Sequence, residues 1–243
     1  MKNTDLIKDN IDNLTALWKT VATPLLSYHK TDRFEISQIK NSGWPNRLWF
    51  REDITEENLP QILDLMEKNP GLIIPYWDIF GSHSNTIFEK NRFKIRIQLA
   101  AMALKLGDKL PLSNNITFKR VLNEEDATTW SNIYQLSFSY VISKETLVHN
   151  YETIKFYLVH LNEKPIGTLT LFQTGKVMGI HGVGVIPEMR KRGLAEEIMK
   201  FALNEAIDSG AEYAHLQASP LGKGIYIRLG FEDLFLITNY FLD

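Results

Sequence analysis

Residues 182–208 leave little choice of local fold. The apolar run Gly182-Val-Gly-Val-Ile186 is a buried strand, Pro187 ends it, and Gly193 to Asp208 has the apolar spacing of a long helix. Between them stands Arg190-Lys191-Arg192, three consecutive cations in a chain of 243 residues with a net charge of −2. A helix N-terminus leaves about four backbone N–H groups unpaired and carries roughly half a positive charge, so basic residues there are unfavourable by themselves. An anionic ligand relieves that conflict. Gly193 allows close backbone approach, and small Ala195 leaves room for a bulky anion. Two readings follow from these residues alone: a phosphate cradle, or a solvated, cation-rich helix start.

Along the chain, Leu6, Ile7, Ile11, Leu14, Leu17 and Trp18 have helical spacing and predict a helix over 5–20. Short strands are expected at 33–40 and 46–51, a helix at 54–68, a buried strand at 71–77, a small helix at 85–91, and a long strand or strand pair at 93–106. The polar, turn-rich stretch 107–115 is the expected domain boundary, which divides the chain into 1–110 and 111–243. A new pattern then begins: strand 116–122, helices 124–138 and 144–151, a hairpin of 155–161 and 165–174, and strand 177–186. After the long helix come strand 213–218, a short helix at 224–229 and a closing strand pair at 231–242. This is a mixed α/β order.

Composition removes several classes of function. The chain has no cysteine, which excludes disulfides, thiolate metal sites and a catalytic thiol on the protein. Near-neutrality gives no general attraction to nucleic acid or membrane. The first ten residues are too polar for a signal peptide, and no apolar run reaches membrane-spanning length. The expectation is a cytoplasmic protein, monomer or homodimer, that binds neither nucleic acid nor membrane and uses no metal.

Two spaced motifs resemble the signature of the GNAT superfamily of acyl-CoA-dependent N-acyltransferases. Val183-Gly-Val-Ile-Pro-Glu-Met-Arg190-Lys-Arg-Gly193-Leu-Ala195 is similar to its Gln/Arg-x-x-Gly-x-Gly/Ala loop, with Arg190, Gly193 and Ala195 matching. Leu216-Gln-Ala-Ser-Pro220, followed by Tyr226-Ile-Arg-Leu-Gly230-Phe231, is similar to its Asn-x-x-Ala-x-x-Leu-Tyr-x-x-x-Gly-Phe segment. Tyr226, Gly230 and Phe231 match; Ser219 stands at the Asn position and Gly222 at the Ala position. A bacterial subgroup carries Gln-Ala-Ser-Pro at this place. The resemblance spans about residues 116–243 and implies the GNAT fold with acetyl-CoA as co-substrate.

Carried over residue by residue, the resemblance implies that Val183, Gly184 and Val185 hold the pantetheine arm by main-chain groups, as an added strand. Arg190, Lys191, Arg192, Gly193, Leu194 and Ala195 then hold the phosphates. An amine attacks the thioester directly, and Tyr226 protonates the departing thiolate; a phenol of pKa about 10 and a thiol of about 8.5 are workable partners. His181, two residues before Val183 and so on the same face by strand alternation, is a candidate base. Ser219 is a candidate for orienting the acceptor or a water. An N-acetyltransferase acting on a primary amine is the leading expectation; a catalytically silent acyl-CoA-binding or interaction module is the alternative. Small amines, antibiotics, amino acids and protein N-termini are all compatible acceptors.

The first half carries an echo. Phe88-Glu-Lys-Asn-Arg-Phe93 has the spacing of Tyr226 to Phe231, and each stretch follows a strand and a short helix. Phe88 stands in the tyrosine place, and no Arg-x-x-Gly-x-Gly/Ala loop occurs between residues 40 and 75. Residues 1–110 are therefore expected to be a degenerate GNAT-like copy that contributes to the acceptor site, with Trp44, Trp49, Tyr76 and Trp77 lining it or packing as plain core.

Overall fold

The computed structural model describes residues 3–112 and 116–243. The first half runs α1 (Asn3–Ala22), β1 (Tyr28–Lys30), β2 (Glu35–Ser37), β3 (Arg47–Trp49), α2 (Leu59–Lys68), β4 (Ile74–Trp77), α3 (Asn85–Lys90) and β5 (Phe93–Lys105). The second runs β6 (Ile116–Arg120), α4 (Glu124–Phe138), α5 (Lys144–Val148), β7 (Lys155–Leu161), β8 (Lys164–Thr174), β9 (Val177–Val185), α6 (Leu194–Asp208), β10 (Tyr213–Ala218), α7 (Lys223–Arg228) and β11 (Glu232–Leu242).

Most elements lie where periodicity places them, and three differ for physical reasons. Helix α2 starts at Leu59 rather than near residue 54. Thr55 N–H donates to Asn58 Oδ1 at 3.0 Å, and this side-chain bond holds the preceding residues in a turn. Strand β1 has no apolar alternation and carries Tyr28, His29 and Lys30. The expected closing strand pair is one strand, β11, with register shifts at 233/235 and 239/240. No glycine or proline interrupts 231–242, and the neighbouring position that a returning strand would take is filled by β5.

The main sheet has eight strands in the order β4-β11-β5-β10-β9-β8-β7-β6. Every pair is antiparallel except β9 and β10. Strands from before residue 107 and after residue 116 thus share one sheet, and the connection between β5 and β6 includes residues 113–115, outside the described residues. Helix α1 joins the halves from one face. Its Leu17 and Val21 enter the core built by β6 to β10, while Trp18 packs on Trp49 and Trp77 at 5.5 and 6.2 Å between ring centroids. Buried Asn13 donates to the Phe172 carbonyl at 3.0 Å and to Thr174 Oγ1 at 2.9 Å.

A similar succession of elements occurs twice in the sheet. The succession β10-α7-β11 is matched by β4-α3-β5, and the closing strands exchange places: β11 pairs with β4, and β5 pairs with β10. Parallel contact recurs as well, between β9 and β10 on one side and between Arg47 and Ile73, before β4, on the other. Where β9 leads to α6 through cations and glycine, β3 leads to α2 through Glu52, Asp53, Glu56 and Glu57.

Candidate active site

Strands β9 and β10 pair only over Tyr213–Val177, Ala214–Met178 and His215–Gly179. Beyond those three rungs they diverge, and the edge of β9 that faces β10 is left without a ladder from Ile180 onward. Such an edge is ready for an extended chain to pair with it. On the other side β9 pairs with β8, with one extra residue: Thr170 faces His181, and Thr168 faces Gly184. This bulge sits at Gly182, whose φ of +57° suits glycine, and Thr168 Oγ1 donates to its carbonyl at 2.8 Å. Alternation is broken there. His181 therefore shares a face with Gly184 and not with Val183, contrary to simple counting along the strand.

Past β9 the chain makes a single 3₁₀ turn, Pro187–Met189, and enters α6 through Gly193, whose φ is +76°. A left-handed residue followed by a right-handed helix turns successive N–H groups toward one point, which is an anion-binding concavity. The cations divide their roles. Arg190 donates from Nε to the Val185 carbonyl at 3.1 Å and from Nη2 to the Ser137 carbonyl at 2.8 Å, tying the loop to its strand and to the end of α4. Lys191 and Arg192 are exposed and have no ion pair among the described residues.

A cavity of about 1070 Å³ occupies the divergence. Val183, Gly184, Val185, Arg190, Lys191, Gly193, Leu194 and Ala195 line it, as do His181, Ser219 and Tyr226; Arg192 lies outside its lining. Tyr226 is half-buried, its phenol makes no hydrogen bond among the described residues, and burial raises its pKa to about 12. It stays protonated throughout the physiological range. His181 is held down to about 4 by burial, against a weaker pull from Gln217, and its Nε2 is buried beside Gly179 without a partner among the described residues. The ring is neutral at pH 7. Ser219 accepts main-chain N–H bonds from Gly222 and Lys223 at 3.0 Å each through its carbonyl and so shapes the entry to α7.

The first half supplies the opposite wall. Of the four aromatics expected there, Trp44 lines the cavity, whereas Trp49, Tyr76 and Trp77 are core. Phe88 is wholly buried, with the Phe93 and Tyr240 rings each 5.0 Å away. Arg47, Arg96, Tyr134 and Tyr140 also reach the cavity and were not legible as site residues. Arg96 sits on β5 of the shared sheet and Arg47 on β3 of a separate three-stranded sheet, β1-β2-β3, and only tertiary packing brings both to the cleft.

Buried His215 lies on β10, with neither ring nitrogen bonded among the described residues and its pKa held down to about 4 by burial. The unfolded chain accepts that proton near pH 6.5. The stability contributed by the neutral ring is therefore complete above pH 6.5 and is lost as pH falls toward 4, about 3 kcal/mol in all. Urea midpoints measured from pH 7.5 to 4 are expected to decline less steeply in His215→Leu than in the wild type. Equal slopes would contradict this.

An open mixed sheet, split after three rungs, leads into a helix start whose free N–H groups suit an anion. Residues 121–231 match the acetyltransferase (GNAT) family and form a GNAT acetyltransferase domain. Acetyl-CoA is the co-substrate of that family. Among solved structures, the chain resembles the GCN5-related N-acetyltransferase from Kribbella flavida, with a TM-score of 0.67 and 18% identity over 91% of this chain and 93% of that one. It also resembles a GCN5-related N-acetyltransferase from Sphaerobacter thermophilus, with a TM-score of 0.60 and 15% identity over 85% of this chain and 78% of that one. A functionally unknown conserved protein from Staphylococcus epidermidis has a TM-score of 0.62 at 13% identity, over 87% and 91% of the two chains. No curated protein matches the chain in sequence. Among the described residues, no helix is long and apolar enough to cross a membrane, and no cluster of His, Asp or Glu is placed to hold a metal ion.

Proposed function

We propose that the protein is an N-acetyltransferase that moves the acetyl group of acetyl-CoA to a primary amine by direct attack within a ternary complex. The observation that carries this reading is the opening between β9 and β10, with Tyr226 and the Gly193 helix start on one cavity. When bound, acetyl-CoA supplies an activated acyl carbon and a thiolate leaving group. The free main chain of Val183 to Val185 orients its arm as an added strand, and the N–H groups of Gly193, Leu194 and Ala195 receive phosphate oxygens. Exposed Lys191 and Arg192 add long-range attraction. Arg190 serves mainly by fixing the loop, since two carbonyls already occupy its guanidinium.

Tyr226 donates its proton toward the sulfur as the bond to carbon breaks and recovers one from solvent. The phenol at about 12 is a weaker acid than a thiol at about 8.5, so its main contribution is a hydrogen bond that strengthens as charge develops on sulfur. His181 lines the cavity and helps to shape the place of the attacking amine, while its buried Nε2 is turned toward Gly179. With its pKa near 4 it does not act as a strong base, and the amine gives up its proton to water. Ser219, in the turn that precedes α7, contacts a water or the acceptor.

Residues 1–110 act as a degenerate copy and 111–243 as the transferase domain, in the subgroup marked by Gln217-Ala-Ser-Pro220. The exchanged strands β5 and β11, the acidic β3–α2 loop and the filled Phe88 position support this. The expected stoichiometry is one coenzyme A per chain; calorimetric titration reaching two equivalents would refute the degenerate copy. The overall reading is tested by thiol release from acetyl-CoA with a broad panel of amines. Binding of coenzyme A without turnover for any amine would favour a silent binding module.

A further inference from the structure

The acceptor side of the cavity holds a cation with nothing to neutralise it. Arg47 stands on β3 and donates from Nη1 to the carbonyls of Pro45 and, at 3.2 Å, Asn46. Its guanidinium lies over the Trp18 ring, 5.6 Å from the centroid. These contacts use one nitrogen and one face. Nε is buried with no partner, and Nη2 has no acceptor among the described residues. Nε and Nη2 form the side-on edge of the guanidinium, the pair of parallel donors that matches the two oxygens of a carboxylate.

The surroundings make this edge costly to leave empty. Arg96 lines the same cavity and repels Arg47, and neither has an ion pair among the described residues. Burial brings the Arg47 pKa down to about 10, so the group is still cationic at pH 7. The one acid of the cavity lining, Glu196, lies at the α6 end and is bridged to Arg228 at 3.6 Å and Lys200 at 3.8 Å. A polycationic acceptor would meet two arginines and no free carboxylate. Tyr134 and Tyr140, hydrogen-bonded to each other, and Trp44 give the remainder of the wall an apolar and aromatic character.

We infer that the acceptor is a primary amine that also carries a carboxylate, an amino acid or a close relative, whose acid group docks side-on to Arg47 with Arg96 as outer charge. This rests on the acetyltransferase reading and names the substrate class of that site. The carboxylate fixes one end of the acceptor, and the amine is left to reach toward His181 and the β9 edge. Each parallel N–H bond to a carboxylate is charge-assisted, and removing one partner leaves the other charge desolvated.

The test uses the full chain and N-acetylglycine, N-acetylleucine and N-acetylphenylalanine, each paired with its carboxamide. All are titrated calorimetrically with and without saturating coenzyme A, so the readout does not depend on turnover. At least one acid is expected to bind ten-fold or more tightly than its amide. The preference is expected to collapse in Arg47→Met and to shrink several-fold in Arg96→Met, which alters an exposed side chain and keeps the fold. Turnover of the free amino acids is expected to follow the same order, with KM raised at least ten-fold in Arg47→Met. Equal binding of acids and amides, binding of neither while coenzyme A binds, or acetylation confined to polyamines would overturn the assignment and leave the acetyltransferase reading standing. Failure of coenzyme A to bind would overturn that reading instead; acid-over-amide binding lost in Arg47→Met would still support the anion site.

Discussion

Tyr226→Phe is expected to lower turnover roughly 10²-fold, the usual scale for losing a general acid, while affinity for coenzyme A stays within a few fold. The phenol makes no hydrogen bond among the described residues, so little change in stability is expected on removing one oxygen. The ring, 6.0 Å from Phe231 between centroids, is retained. Because burial lifts the phenol to about 12, its ionisation does not shape the rate below about pH 11. An alkaline fall in kcat near pH 9 to 10 that disappears in Tyr226→Phe would contradict the environment described for this side chain. Equal turnover in variant and wild type would remove Tyr226 from the mechanism.

Gly193→Val is expected to weaken coenzyme A binding by about 2 kcal/mol or more, some 30-fold, with the fold intact. The cause is conformational. A Cβ at this position meets no atom within 4 Å, so a side chain has space. The φ of +76° is the obstacle, since a β-branched residue there costs about 1–2 kcal/mol and drives the chain toward a conformation that turns the N–H groups of α6 away from their common point. Calorimetric titration of coenzyme A against the folded variant measures the loss directly. Gly193→Ala, with a smaller but still strained side chain, is expected to lie between the two. Unchanged affinity in Gly193→Val would mean that the phosphates bind elsewhere.

Much of the second half is legible in one dimension because its signals are local. Helix α4 spans 124–138 and β10 spans 213–218, both at the limits that their apolar spacing and flanking turns set. The loop at Arg190 to Ala195 and the Tyr226 motif are likewise short segments whose chemistry depends on adjacent residues. Local inference stops where an extra residue enters a ladder. The bulge at Gly182 reverses the facing of His181 relative to Val183, and alternation alone carries no sign of it. Arg190 is similar: its charge is plain in the sequence, but the Ser137 carbonyl that occupies it lies 53 positions away.

The proposed acceptor side was decided by tertiary structure alone. Nothing in the composition around Arg47 distinguishes it from a solvated strand residue. Its place at the cleft arises because β5 lies between β10 and β11 in the main sheet, and the first half, with the separate sheet β1-β2-β3 that carries Arg47, packs against the cleft. Long-range strand exchange of this kind leaves no periodic trace, since pairing partners are chosen by the whole sheet. Amino-acid sequence by itself therefore determined the proposed cofactor end of this protein, whose strand, loop and helix are consecutive in the chain. The tertiary fold determined the proposed acceptor end, where a guanidinium without an ion pair among the described residues lines a cavity to which both halves contribute.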